Sequence, residues 1–197
     1  YEELIRMNRE GMLDFSKVRT VNLDEYIGLG PEHIQSFRYF MDSSLFARIN
    51  IDPANTYVPD GCAPDEALSC EEYDALIRSL GGIDLQILGI GHNGHIGFNE
   101  PDEAFIAGTH MVELTEDTLR ANASLFPDPE AMPKYAVTIG MGAIMHAKRI
   151  LLIANGVGKA KALRAAIEGP VTPKVPASIL QLHPDVTVIC DADAMGG

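Results

Sequence analysis

The sequence predicts an α/β protein built on an open, mostly parallel sheet flanked by helices, a Rossmann-like three-layer arrangement. Three observations predict it. Short apolar runs rich in Val, Ile and Leu alternate with helical stretches along the chain. Two of these runs lead into glycine-containing turns, at 89–97 and 155–158, the position where α/β sheets set their ligand sites. The run 149–154 has almost no polar residue, as expected of a strand in the centre of a sheet.

The elements follow in order. Residues 1–9 read as the tail of a helix with Leu4 and Ile5 on its apolar side, and 18–23 as a short strand on Val18, Val21 and Leu23. Residues 31–49 read as a helix opened by Pro31, whose fixed φ suits a first turn. The stretch 52–64 is loop with a short strand near Tyr57-Val58, and 65–80 is a helix ended by Gly81-Gly82. Residues 83–88 read as a buried strand, 111–114 as another, and 115–125 as a helix with Thr115 as its cap. Then come a strand at 135–139, a short helix at 141–147 and the central strand 149–154. A helix at 159–168 closes on Gly169, a proline-rich loop spans 170–176, and a short helix at 177–182 precedes the last strand, 186–190. No repeat, low-complexity tract or linker interrupts the pattern, so 1–197 reads as a single domain. Tyr1 falls inside an amphipathic helix with no cap, so the domain is expected to be short at its N-terminus.

Composition limits the function classes. The 197 residues are enough for one domain with a real core, and 46% apolar with 22% charged residues is ordinary for a globular chain. A net charge of −13 argues against non-specific binding of nucleic acid or anionic membranes, yet leaves room for an anionic small molecule met by a few local donors. No run approaches the length of a membrane span, and the first residues lack the pattern of a signal peptide. Cys62, Cys70 and Cys190 are odd in number and without metal-type spacing, so each reads as a small buried or half-buried hydrophobe in a protein of the reducing cytoplasm.

Three polar clusters carry the chemistry. The first is the turn from Leu88 to Pro101, with glycines at 89, 91, 94 and 97 and with Asn93, His95 and Glu100 able to place or relay protons. One histidine in a loop is usually just hydrogen-bonded; four glycines, a His and a Glu in one turn favour a site. The second is Asn22-Leu23-Asp24-Glu25-Tyr26, two acids where the first strand runs out. Alone, Asp24 would more often cap a turn than catalyse, but beside the His95 turn it is a candidate general base. The third is Asn155-Gly156-Val157-Gly158-Lys159, which follows a strand and opens a helix. It does not match a Walker loop. A lysine in a first turn opposes the helix dipole, which suggests an anion nearby.

Taken together, these clusters and Pro176-Ala177-Ser178-Ile179-Leu180-Gln181-Leu182-His183 resemble the glucosamine-6-phosphate deaminase (glucosamine/galactosamine-6-phosphate isomerase) family along essentially the whole chain. The ending Phe98-Asn99-Glu100-Pro101 is its most specific part. The related 6-phosphogluconolactonases share the glycine-rich strand end and its histidine but continue with Thr-Ala-Ser-Leu-Phe-Pro. The Ala123-Ser124-Leu125-Phe126-Pro127 string lies away from the histidine and is read as coincidence.

The resemblance implies conversion of glucosamine 6-phosphate and water to fructose 6-phosphate and ammonia, with no metal or organic cofactor and a sugar phosphate as the only partner. It implies that Asp24 takes the C2 proton, that His95 opens the pyranose ring, and that Glu100 orients the imidazole. It implies further that Asn93 assists ring opening, that Lys159 holds the phosphate, and that 115–135 forms a lid over the site. With Asn rather than Asp at 93, His95 is expected to depend more heavily on Glu100. A carboxylate that fixes the tautomer of a histidine able to titrate near neutrality suits this acid–base work.

Departures from the family pattern set further expectations. No counterpart of the family's first phosphate loop precedes Tyr1, so a molecule that truly began there would be weakly active or inactive. Ser124 stands where many members place a phosphate-binding arginine, leaving Arg120 or Arg164 as substitutes. His110 and Val112 replace a basic pair found in allosteric hexameric members, and Glu103 adds negative charge, so no such activation and a monomer rather than a hexamer are expected. The competing readings are a lactone hydrolase on the same fold, which would release no ammonia, and a non-catalytic sugar-phosphate sensor. The sensor reading lacks a DNA-binding domain, and Asp24, His95 and Glu100 favour catalysis.

Overall fold

A parallel three-stranded sheet forms the base of the molecule, in a computed structural model that describes residues 1–126, 128 and 131–196. Its order is β4 (Leu85–Leu88), β7 (Arg149–Ala154), β8 (Val186–Cys190), so the apolar run 149–154 does lie centrally. Ile87 pairs with Leu151, which pairs in turn with Thr187. Burial alternates along these strands. Leu88, Ile150, Leu152 and Ala154 enter one core with Tyr73 and Ile77 of α3 (Glu66–Ser79) and Ala162, Leu163 and Ala166 of α6 (Ala160–Glu168). The other face leaves Leu85, Ile87, Ile153 and Ile189 exposed. The expectation of a fully buried strand at 83–88 is therefore corrected: β4 is half-buried, because helices cover only one face of the sheet.

A second sheet is antiparallel, which the sequence pattern did not suggest. It joins β2 (Asp24–Tyr26), β6 (Tyr135–Thr138) and β5 (His110–Glu113), with Thr138 facing Asp24 on one side and His110 on the other. Tyr26 anchors its core, stacked on Phe37 with centroids 5.0 Å apart and packed edge-on to Phe126. A short parallel pair, β1 (Thr20–Val21) with β3 (Thr56–Tyr57), completes the strands. The Tyr73 hydroxyl donates to the carbonyls of Asn22 (2.9 Å) and Tyr57 (3.3 Å), tying α3 to that pair. The strand expected over 18–23 is thus split: β1 is two residues long, and the two acids expected beyond its end sit in β2.

The helix expected over 31–49 is shorter. Residues 31–36 form turns, and α2 (Phe37–Ser44) starts where the Ser36 hydroxyl accepts the Tyr39 N–H at 3.0 Å. The start is fixed from inside as well. The carboxylate of Glu25, 2% exposed, accepts N–H bonds from Tyr26, Phe37 and Arg38 at 2.9 Å each. A serine cap and a buried anion at the first turn outweigh the proline signal. A 3-10 turn at Phe46–Arg48 follows α2.

The other helices lie close to expectation: α1 (Glu2–Arg9), α4 (Glu116–Asn122) and α5 (Met141–Met145). A 3-10 turn replaces the short helix, over Pro176–Leu182, and an unexpected α7 (Ala192–Met195) is capped by Asp191. Cys70 is buried and Cys190 half-buried, but Cys62 is exposed, contrary to its reading as a hydrophobe under cover. Among the described residues no helix is long and apolar enough to cross a membrane.

Ile150, 1% exposed in the central strand, is a point where the fold has little slack. Ile150→Ala is expected to destabilise the protein by about 2–5 kcal/mol, read as a fall in the urea midpoint at unchanged slope.

Candidate active site

The site begins where β4 ends, in the turn 89–97. Gly91 has no alternative residue: a β-carbon there would overlap the imidazole of His95. Gly97 adopts φ +57°, and a β-carbon on it would lie 3.0 Å from Thr138 Oγ1 and 3.4 Å from Asp24 Oδ2. These two glycines let the turn seat His95 and fold back onto β2 and β6. The fold-back is clamped on both sides. The Phe98 N–H donates to Thr138 Oγ1 at 3.1 Å, and the buried Asn99 amide donates to the carbonyls of Ile96 (3.1 Å) and Ile139 (2.9 Å).

Asn93, His95 and Glu100 converge as the sequence suggested. His95 Nδ1 lies 3.2 Å from Glu100 Oε2, with the His95 side chain 19% and the Glu100 side chain 6% exposed. Asn93 Nδ2 donates to the same oxygen at 2.7 Å, while Asn93 Oδ1 accepts the His95 backbone N–H at 3.2 Å. Glu100 Oε1 accepts from the hydroxyls of Thr115, at 3.2 Å, and Thr118. Burial works to raise the Glu100 pKa, but the contacts with His95, Thr118 and Asn93 outweigh it and hold the group down at about 2. Glu100 is therefore an anion throughout the neutral range, set to orient the imidazole and to stabilise its protonated form.

Asp24 faces the same cavity from β2 and is shifted the opposite way. Burial, and next the charge of Glu25, push it up to about 7. A carboxyl poised there can both take and return a proton at neutral pH. One cavity of about 460 Å³ is lined by Asp24, Asn93, His95 and Lys159 together with Phe37 and residues of α4, among them Thr118 and Asn122. Lys159 ends the 3-10 turn Val157–Lys159 ahead of α6, and burial lowers the pKa of its ammonium group. Glu100 lies behind His95 and lines a neighbouring cavity of about 310 Å³.

The candidate substitutes for the missing arginine are elsewhere. Ser124 is exposed, Arg120 pairs with Asp117 at the surface, and the Arg164 guanidinium lies beside Gly196; none of the three lines the cavity. Of the segment 115–135 expected as a lid, α4 does form a cavity wall, whereas Pro127, Pro129 and Glu130 lie outside the described residues. Sequence reasoning missed the two threonines on Glu100. Thr115 was legible only as a cap, a role it fills by accepting the Thr118 N–H at 3.4 Å. Thr118, three residues on, had no signal of its own. Among the described residues no group of three or more His, Cys, Asp or Glu is placed to hold a metal ion.

Comparison with known proteins places this geometry. Residues 1–189 match the family described as glucosamine-6-phosphate isomerases/6-phosphogluconolactonase. The chain is 58% identical over 190 residues to the glucosamine-6-phosphate deaminase of Lachnoclostridium phytofermentans, covering 96% of this chain and 80% of that protein. It is 54% identical over 194 residues to that of Clostridium perfringens, covering 98% and 80%. A solved structure of a monomeric glucosamine-6-phosphate deaminase superposes with a TM-score of 0.97 at 44% identity, over 100% of this chain and 81% of that one. A 6-phosphogluconolactonase from Thermotoga maritima superposes at 0.72 with 20% identity, covering 94% and 79%, a likeness of fold alone.

Two outcomes are expected from the acids. Glu100→Gln removes the anion opposite His95 and should lower the maximal rate at least about 100-fold in steady-state assays; a near-normal rate would show that His95 works without it. Asp24 is raised above its unfolded value of 3.8 to about 7. The stability of its protonated form is fully present below about pH 4 and lost as pH rises through about 7. Asp24→Asn, which stays neutral, should therefore gain about 1–3 kcal/mol on the parent between pH 4 and pH 8 in urea melts.

Proposed function

The chain belongs to the glucosamine-6-phosphate isomerase/6-phosphogluconolactonase family, and we infer from its geometry and its relatives that it is a glucosamine-6-phosphate deaminase of amino-sugar catabolism. The observation that carries the reading at the level of chemistry is that one cavity is lined by two separate proton-handling groups, Asp24 and the His95 held by Glu100.

The reaction needs both. Ring opening takes the proton from the C1 hydroxyl and delivers one to the ring oxygen; His95, oriented by Glu100, does this. The open aldehyde then loses its C2 proton to Asp24, giving an enolamine, and return of the proton to C1 leaves an imine at C2. Water adds to that carbon and ammonia departs, leaving the 2-ketose. Asn93 holds Glu100 and the His95 backbone in place, and Lys159 meets the sugar phosphate. No step calls for a metal or an organic cofactor.

An open sheet with parallel strands at its centre, a single domain over 1–197 and a cytoplasmic location fit this reading. A monomer is favoured by the likeness to a monomeric deaminase and by His110 and Val112 in place of a basic pair. His110 is held locally, its Nδ1 2.9 Å from the Gly108 carbonyl. Activation by an N-acetylated sugar phosphate is accordingly not expected.

The protein should release ammonia and fructose 6-phosphate in equal amounts from glucosamine 6-phosphate, with Asp24→Asn as the inactive control. Hydrolysis of 6-phosphogluconolactone without ammonia release from the amino sugar would overturn the reading in favour of a lactonase.

A further inference from the structure

We infer that His92 is a second ligand for the substrate's phosphate, acting beside Lys159 in the same cavity; naming the phosphate of an amino-sugar phosphate rests on the deaminase reading. His92 sits in the glycine-rich turn next to Asn93, is exposed, and lines the same cavity as Lys159. The two come from different segments, the turn after β4 and the turn after β7. They are brought together by a glycine. A β-carbon on Gly158 would lie 3.1 Å from His92 Nε2 and 3.4 Å from Cδ2, so the imidazole rests against the backbone that immediately precedes Lys159. A β-carbon at 158 would crowd the ring and shift it from that place.

Charge gives the arrangement a purpose. Among the described residues lining the cavity, His92, His95 and Lys159 are the basic ones, facing the acids Asp24 and Asp117. His95 is already held by Glu100, and Arg120 and Arg164 point elsewhere. A sugar phosphate brings about −1.5 to −2 charges at neutral pH, more than a single half-buried ammonium answers. Among the described residues the His92 imidazole has no hydrogen-bond or ion-pair partner, which leaves its ring nitrogens available to a ligand in the cavity. A phosphate oxygen seated between the ring and the ammonium can accept a hydrogen bond from each, the one from Lys159 charge-assisted.

The experiment compares His92→Gln and His92→Arg with the parent in the full chain. The probes are glucosamine 6-phosphate in steady-state kinetics and inorganic phosphate in calorimetry. His92→Gln is expected to raise KM and the phosphate Kd each about tenfold with a much smaller change in kcat, and His92→Arg is expected to restore most of both. An unchanged KM and phosphate Kd in His92→Gln overturns the inference. So does a loss that His92→Arg fails to recover, since that marks the ring's shape and not its charge. Should the parent release no ammonia, the deaminase reading fails by itself, while the phosphate titration still decides the role of His92.

Discussion

Glu100 is a nearly dehydrated carboxylate, and the site is arranged around keeping it charged. Such a group is tolerated only when its lone pairs are met by donors. Here they are met by Asn93 from its own turn, by Thr115 and Thr118 from the start of α4, and by His95 between them. The donors belong to two different walls of the cavity, so the charge of Glu100 is also a mechanical link between the turn after β4 and α4. Loss of the charge would release both at once, because a network of this kind fails as a unit when one buried partner is left unpaired. Catalytic orientation of His95 and placement of the α4 wall are thus consequences of one interaction.

Asp24 shows what the same fold does to a carboxyl it leaves short of donors. It sits beside Glu25, whose carboxylate accepts three backbone N–H groups, that of Tyr26 in β2 and those of Phe37 and Arg38 at the start of α2. Neighbouring positions on one strand point to opposite faces. One acid of the pair therefore turns into the backbone and serves as a cap, while the other faces the cavity with its affinity for protons raised. Glu100, just beyond the His95 turn, and Asp24, on a separate strand that lines the cavity, end up at about 2 and about 7, a separation that suits one to stay an anion and the other to exchange a proton at neutral pH.

Much of this was legible in the sequence. The glycine spacing and the polar residues of 89–101 located the turn, since a side chain at 91 would overlap the His95 ring and the positive φ at 97 favours glycine. The helices at 65–80 and 159–168 and the central strand 149–154 carried strong periodic or apolar signals. The antiparallel sheet did not, because β2, β5 and β6 have three or four residues each. A run that short reads alike in either pairing sense. The start of α2 was misplaced for a related reason: its decisive partner, Glu25, lies 12 and 13 residues away along the chain from the amides it holds. Contacts made by tertiary folding, such as Thr118 on Glu100, leave no local pattern to find.

Asn93 shows how one neutral residue can fix the protonation of a site. Its amide has two ends with opposite polarity: the nitrogen donates to Glu100 Oε2 at 2.7 Å and the oxygen accepts the His95 backbone N–H at 3.2 Å. A carboxylate at 93 could still accept from that N–H, but it would have nothing to donate to Glu100. Two carboxylates within hydrogen-bond reach would then share a proton or repel one another, and either outcome weakens the anion that faces His95. The amide removes that competition. It supplies a donor to Glu100 whatever the pH and adds no charge. In this chain the neutrality of Asn93 is therefore part of what keeps Glu100 charged, and through Glu100 part of what keeps His95 in its working orientation.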